Sequence, residues 1–479
     1  MPEPALALHT DKYQINMLYA HWVNGTLDRK AVFDVYFREQ PFGGGYAVFA
    51  GLERVVRYLN DLRFDEEALR YLAEQEENYD PGFLDELRKF RFSGSLHSVE
   101  EGEIVFAGEP LMRVEARMFE AQLIETALLN FVNFQTLIAT KAARIRHVAK
   151  DDVLLEFGTR RAQEQDAAVW GARATYLAGF DATSNMLAGY RFGIPTKGTL
   201  AHSWVQDHDS EEEAFARFVE ALPDQATLLV DTYDVLKSGV PNAIKTAKLL
   251  EVKGKRLKGI RLDSGDLAYL SIEARRMLDE AGLTDAKITA SSDLDEDTIF
   301  EIKTQGARID IWGVGTRLIT GGDQPALGGV YKLVAREKDG ELIPAIKISA
   351  NPEKITTPGI KNIYRIVSRV SGRAEGDLIT LAEGDDPDGR PIQLFNPMHT
   401  FIKKKVKDYE AISLLQPILQ DGKQVYGIPS LDESRRFHAD RLKQFWPQYL
   451  RRLNPEIYPV DLSHKVWEMK MKLIQEHMG

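Results

Sequence analysis

Residues 153–163, Val-Leu-Leu-Glu-Phe-Gly-Thr-Arg-Arg-Ala-Gln, decide how the middle of this chain reads. The first five are largely apolar, the length of one short strand, with a single carboxylate at Glu156. A Gly-Thr-Arg-Arg turn follows, and helical spacing runs over 163–178. The unit then repeats. Short strand-like segments recur near 195–200, 226–230, 259–262, 287–290 and 309–314. Helical stretches over 211–221, 242–252, 270–281 and 295–305 separate most of them. This alternation predicts parallel strands wrapped by helices. Most of the strands end in a polar or glycine-rich turn, at the side where a parallel barrel carries its chemistry.

The flanks have another pattern. Residues 9–20 run at helical spacing behind Thr10-Asp11, a plausible helix N-cap. Residues 31–38 alternate as a strand, and 46–59 and 83–90 read as helices. The segment 95–116 reads as short strands parted by Glu-Gly and Gly-Glu-Pro turns. Residues 119–149 are long, apolar and periodic, predicting one or two buried helices. Beyond Gly315, strand-like alternation returns over 329–337, 342–348, 363–370 and 378–381, with 385–389 as a turn. From His438 the chain is amphipathic and helical. The expected division is an N-terminal α+β domain over 1–130, an α/β barrel over 131–330, a β-rich segment over 331–437 that packs back on the N-terminal domain, and a helical tail over 438–479.

The 479 residues are 44% hydrophobic and 28% charged, which suits a globular chain with a sizeable core. The net charge of −11, with no long basic run, argues against non-specific nucleic-acid binding. A local arginine cluster can still hold an anionic small molecule. The absence of cysteine excludes disulfides, thiolate nucleophiles and cysteine-based metal sites. Met1-Pro2-Glu3-Pro4 has no signal-peptide pattern and no apolar run reaches membrane-spanning length, so a cytoplasmic protein with no membrane partner is expected.

Four strand-end turns carry candidate chemistry. In Gly158-Thr159-Arg160-Arg161, a guanidinium fork suits phosphate or carboxylate; two surface arginines in ion pairs would look the same. In Gly198-Thr199-Leu200-Ala201-His202-Ser203, glycine admits close approach, Thr199 offers a hydroxyl, and His202 is a potential nucleophile. A helix-capping or core histidine is the bland counterpart. In Arg261-Leu262-Asp263-Ser264-Gly265-Asp266, the carboxylates could hold Mg²⁺ or ribose hydroxyls, and Ser264 and Gly265 could face a phosphate. Asp266 could equally be a helix N-cap. In Gly313-Val314-Gly315-Thr316, successive backbone N–H groups could cradle a phosphate, or the glycines could simply turn the chain. Neither a Rossmann nor a Walker glycine pattern is present. Physics alone reaches a barrel enzyme acting on a phosphorylated, Mg²⁺-bound substrate.

The segments HTDKYQINM from His9, AVFDVYFREQPFGGGYAVFAGLE from Ala31, EFGTRRAQ from Glu156, GTLAHSW from Gly198, LLVDTYD from Leu228, GIRLDSGDL from Gly259 and GVGTRLIT from Gly313 closely resemble those of bacterial nicotinate phosphoribosyltransferases. The resemblance implies an irregular α/β barrel of the nicotinate/quinolinate phosphoribosyltransferase type, with an additional mixed α+β sandwich domain. It implies synthesis of nicotinate mononucleotide and diphosphate from nicotinate and 5-phosphoribosyl 1-diphosphate in NAD salvage. ATP would serve as cosubstrate through a phosphohistidine, with Mg²⁺ and a homodimer whose sites are completed across subunits. By motif position, His202 looks like the phosphorylated histidine. Tyr13 looks like the ring partner of nicotinate, with Thr199 and Arg261 as further nicotinate contacts. Thr316, Gly315, Gly313 and Arg160 look like contacts of the phosphoribosyl diphosphate. Asp263 is a possible magnesium or ribose ligand, with Ser264 and Gly265 beside it. A nicotinamide or quinolinate phosphoribosyltransferase, and a non-catalytic sugar-phosphate binding protein, are the competing readings.

Overall fold

The computed structural model describes residues 6–351, 354–387, 389–397 and 399–478. Met1 to Pro4, and Asp388 of the expected 385–389 turn, lie outside the described residues. The chain divides into two compact units: Met1–Thr140 with Ala326–Gly479, and Lys141–Pro325. The long apolar stretch forms two helices, Met118–Leu123 and Glu125–Ala149.

The first unit is built from both ends of the chain. Its larger sheet is antiparallel throughout, in the order Glu341–Pro344, Gly329–Lys338, Lys30–Phe37, Met112–Arg117, Ser95–Ser98, Gln416–Gln420, Lys423–Gln424. A four-stranded sheet joins Tyr409–Ser413, Lys361–Ser368, Ala374–Leu381 and Val460–Leu462, the last pair parallel. Buried charges tie the two ends together. Arg365 donates to both oxygens of Asp377, at 3.0 and 2.7 Å, to the Ile104 carbonyl at 2.7 Å, and to Glu103. Lys361 meets Asp34 at 2.8 Å. Removing one partner of such a pair costs about 3–5 kcal/mol, because the other charge is left buried alone.

Two expectations fail here. Residues 46–59 are not one helix: Ala47–Val48 pairs with Ile104–Val105, and the helix starts at Leu52. Gly51 turns the chain with φ 111°, where a Cβ would stand 3.0 Å from the Phe131 carbonyl oxygen. The tail is not purely helical either, since Val460–Leu462 adds a strand between Pro447–Leu450 and His464–Met478.

The second unit is the strand–helix repeat. Its strands are β1 (Val153–Glu156), β2 (Ala182–Thr183), β3 (Thr227–Leu229), β4 (Gly259–Leu262), β5 (Lys287–Ser292) and β6 (Ile311–Val314). They form one sheet in the order β2-β1-β6-β5-β4-β3, every pair parallel. The helices are α1 (Glu164–Leu177), α2 (Met186–Phe192), α3 (His202–Gln206), α4 (Glu211–Ala221), α5 (Val240–Val252), α6 (Leu267–Glu280), α7 (Glu296–Thr304) and α8 (Thr316–Ile319). Side-chain caps fix their starts: Ser210 on α4, Asp266 on α6 and Asp295 on α7. The expected strand over 195–200 shrinks to a single parallel bridge, Thr183 with Thr196. Pro195 has no N–H to give a ladder, and Gly198 is a poor strand residue.

Candidate active site

Strand register assembles the site. Thr289 of β5 lies opposite Arg261 of β4, and Ser291 lies opposite Gly313 of β6. Side chains two apart share a face. Arg261, Asp263, Thr289, Ser291 and Gly313 therefore face the same side, near the strand C-terminal ends.

Arg261 is clamped on that face. Its Nε donates to Ser291 Oγ at 2.8 Å, one terminal nitrogen to Thr199 Oγ1 at 2.9 Å, and the other to Asp263 Oδ1 at 2.9 Å. The guanidinium carbon stands 5.6 Å from the centre of the Phe157 ring. Thr199 accepts from Arg261 and passes its own proton toward the Leu200 carbonyl, 3.3 Å away. Ser291 Oγ in turn donates to Asp263 Oδ1. Burial opposes the Asp263 charge, but the Ser291 hydroxyl and Arg261 outweigh it and hold this carboxyl below its ordinary range.

His202 is the first residue of α3, its side chain 40% exposed. Nδ1 shares a 3.2 Å hydrogen bond with Thr232 Oγ1. Nε2 lies 3.7 Å from Asp263 Oδ2 and 3.9 Å from Asp231 Oδ1. Asp231 is 2% exposed at the side chain, and its Oδ1 has no hydrogen-bond partner. Its Oδ2 accepts from Ser264 Oγ at 2.5 Å and from the Asp263 backbone N–H at 3.2 Å.

The other turns have defined supports. Glu156, at the end of β1, is buried; burial pushes its pKa up, against hydrogen bonds from Thr183 Oγ1 at 2.5 Å and from the Gly158 N–H. That carboxyl fixes the bend leading to Thr159–Arg161, where Arg160 is exposed. A Cβ on Gly313 would stand 2.6 Å from the Phe157 ring, so this glycine makes room for the aromatic floor under Arg261. Gly315 starts α8, its carbonyl accepting from Leu318 and Ile319, with Thr316 first in the helix. Gly265 has φ 81°, and Asp266 caps α6 through the Tyr269 N–H at 3.0 Å. The cap role is the one realised for Asp266.

The structure thus brings Thr199, His202, Arg261, Asp263, Ser264 and the 313–316 turn to one end of one sheet. Tyr13 belongs to the first unit, half exposed on the helix Lys12–Val23. Sequence reasoning gave no role to Asp231, Ser291 or Phe157. Each is the polar or aromatic residue at the end of a parallel strand, and inspecting every such position would have found them. Among the described residues no cluster of three or more His, Asp or Glu forms a metal centre, and no helix is long and apolar enough to cross a membrane.

Comparison with known proteins follows this geometry. Three family models cover most of the chain: the nicotinate phosphoribosyltransferase N-terminal domain over residues 8–133, the nicotinate phosphoribosyltransferase family over 153–365, and its C-terminal domain over 360–470. The chain is 54% identical to a nicotinate phosphoribosyltransferase of Bacillus subtilis over 476 residues, 99% of this chain and 96% of that protein. It is 37% identical to one of Dictyostelium discoideum, over 96% of this chain and 87% of that one. The crystal structure of human nicotinic acid phosphoribosyltransferase superposes with a TM-score of 0.87 at 31% identity, covering 97% of this chain and 99% of that one. A nicotinate-nucleotide pyrophosphorylase of Pyrococcus furiosus, at 22% identity and a TM-score of 0.70 over 93% of this chain and 97% of that one, shares the fold. Sequence and structure agree along the whole length, and the chain belongs to the nicotinate phosphoribosyltransferase family.

Proposed function

We propose that the chain joins nicotinate to 5-phosphoribosyl 1-diphosphate, giving nicotinate mononucleotide and diphosphate, and couples the transfer to ATP through a phosphoryl group on His202. The Arg261 clamp carries this reading. A cation fixed by three hydrogen bonds over an aromatic face suits a flat ring bearing a carboxylate. An amide ring has no need of that charge. The same clamp adjoins His202 through Asp263, so glycosyl transfer and phosphoryl transfer share a wall.

In this reading the ring nitrogen attacks the anomeric carbon as the bond to diphosphate breaks, the electron pair leaving on the diphosphate oxygen. Arg261 and Thr199 hold the ring in line, which lowers the entropic part of the barrier. Thr316, Gly315 and Arg160 take the phosphates, and Ser264 and Gly265 lie toward the ribose. Gly313 serves by admitting Phe157. Thr232 holds His202 Nδ1, which turns Nε2 toward the incoming phosphorus. Two carboxylates facing that point would repel a phosphate by themselves. The buried Asp231 Oδ1, which has no hydrogen-bond partner, and the partly exposed Asp263 Oδ2 are the kind of hard oxygens that magnesium takes. These two residues would hold it, and bound with the diphosphate it supplies charge neutralisation of the leaving group.

The segment 195–199 is read as the irregular stave that closes the six strands into a barrel. The assembly is a homodimer in which Tyr13 of a second copy faces the ring. The cytoplasm, where phosphorylated sugars and ATP occur, is its place of action. Incubation with γ-labelled ATP should give an acid-labile, base-stable phosphoryl label that vanishes in His202→Ala; no label in the parent chain removes the nucleophile. Nicotinamide turned over as fast as nicotinate would remove the substrate assignment.

A further inference from the structure

Glu156 is the last residue of β1 and is fully buried, yet no step of the transfer uses its carboxyl. Among the described residues no cation pairs with it; its partners are the Thr183 hydroxyl and the Gly158 N–H. A carboxylate there would be a buried charge without a counter-ion, a costly state for such a group. A neutral carboxylic acid avoids that cost and still offers one oxygen to each partner.

The two partners hold three bends together. The Gly158 N–H is taken by Glu156, and the Gly158 carbonyl accepts from the Arg161 and Ala162 N–H groups at 2.8 and 3.2 Å, which closes the turn carrying Arg160. Gly158 is wedged against α8: a Cβ there would stand 2.6 Å from Ile319 Cβ and 2.8 Å from Glu156 Oε1. Gly315, at the start of α8, lies against the Phe157 carbonyl, where a Cβ would come within 3.2 Å of the oxygen. On the other side Thr183 Oγ1 accepts from the Asn185 N–H at 2.9 Å, and the Ser184 N–H donates to the Glu156 carbonyl at 2.9 Å. One buried side chain thus joins the Arg160 turn, packed on α8, to the bend after β2.

We propose that Glu156 is a positioning residue for 5-phosphoribosyl 1-diphosphate: as a neutral acid it fixes the Arg160 turn against α8 without adding a negative charge beside the phosphates. This rests on the reading that Arg160, Gly315 and Thr316 take those phosphates. The proton of the acid lies in the 2.5 Å contact between Oε2 and Thr183 Oγ1. Burial pushes the carboxyl's pKa up, in the direction that keeps it there. Glutamine copies the neutral acid, its amide nitrogen standing for the protonated oxygen. Leucine keeps the bulk and removes both hydrogen bonds.

The test is calorimetric titration of the full chain with 5-phosphoribosyl 1-diphosphate and magnesium. E156Q should keep the parental Kd within about twofold, whereas E156L should raise it about tenfold or more, a buried N–H being left unpaired at the foot of the Arg160 turn. The phosphoryl label on His202 should persist in both, which a general collapse of the site would not allow. T183V, nearly isosteric, removes only the hydroxyl partner; it should raise the Kd about threefold and carries the test if E156L does not fold. In infrared difference spectra of parent minus E156Q, the parent should show the carbonyl stretch of an undissociated carboxyl. A loss of affinity in E156Q as large as in E156L, a carboxylate band in its place, or parental affinity in E156L (in T183V where E156L does not fold) would overturn the proposal. Absence of binding by the parent chain would instead remove the assignment of the phosphate turns, and the proposal with it.

Discussion

Thr199→Val isolates the clamp from the rest of the site. Valine keeps nearly the volume of threonine but removes the hydroxyl that accepts from Arg261 at 2.9 Å and donates to the Leu200 carbonyl at 3.3 Å. Arg261 keeps Ser291 and Asp263, at 2.8 and 2.9 Å, so the guanidinium stays in place but loses one of its three anchors. A hydrogen bond to a charged group is worth about 1.5–3 kcal/mol. The freed nitrogen regains part of that from water in a half-buried position, leaving a loss of about 1–2 kcal/mol. At 1.4 kcal/mol per decade, the nicotinate KM should rise about 5–30-fold. His202 is held by Thr232, not Thr199, so labelling from γ-labelled ATP should persist at the parent level. The assay is initial rate against nicotinate at saturating 5-phosphoribosyl 1-diphosphate, with the label measured on the same preparation. An unchanged KM would show that the clamp does not meet nicotinate. Loss of the label together with the KM change would show a collapsed turn rather than a lost hydrogen bond.

Gly313→Ala puts a methyl 2.6 Å from the Phe157 ring; it should destabilise by about 1–3 kcal/mol in chemical denaturation and raise the nicotinate KM, and a neutral result in both would detach Phe157 from the site. On the proposed homodimer, Tyr13→Ala and Arg261→Ala should each be nearly inactive, and refolding the two variants together should restore about a quarter of parental activity if Tyr13 acts from the second copy; no recovery in verified heterodimers refutes that arrangement. Burial pushes the Asp461 carboxyl up to about 6. The folded state then holds this proton more tightly than the unfolded chain, so the group's contribution is most favourable below about pH 4 and is lost as the pH rises toward 6. Asp461→Asn should therefore raise the Tm over the parent at about pH 7.5 and not at about pH 4, whereas an equal effect at both would assign the change to packing.

Much of the second unit is legible locally. The strand β4 and the helix α4 fall where apolar runs and 3.6-residue spacing place them, and the Ser210, Asp266 and Asp295 caps mark helix starts by their own chemistry. Short elements without a pattern long enough to count escape: β2 has two residues, and α3 starts at His202 with no side-chain cap bond. In the first unit, the helical appearance of 46–59 yields to Gly51, whose left-handed turn no periodicity announces.

The motifs around Arg160, around Thr199 and His202, around Arg261 and around Gly313 were enough to mark four turns and a family, because residue type and spacing within a turn are properties of a few consecutive positions. Which turn serves which was decided only by the folded sheet. Thr199 and Arg261 are 62 residues apart, His202 and Thr232 are 30 apart, and Arg261 and Ser291 are 30 apart. Parallel register alone sets Ser291 and Asp263 on the Arg261 face and leaves Gly313 bare for Phe157. Asp231 stands just past a parallel strand, in the segment LLVDTYD, but nothing in that segment tells it apart from Asp234. The role of Asp231 comes from burial beside His202, and burial is a property of the packed chain rather than of the residues around it.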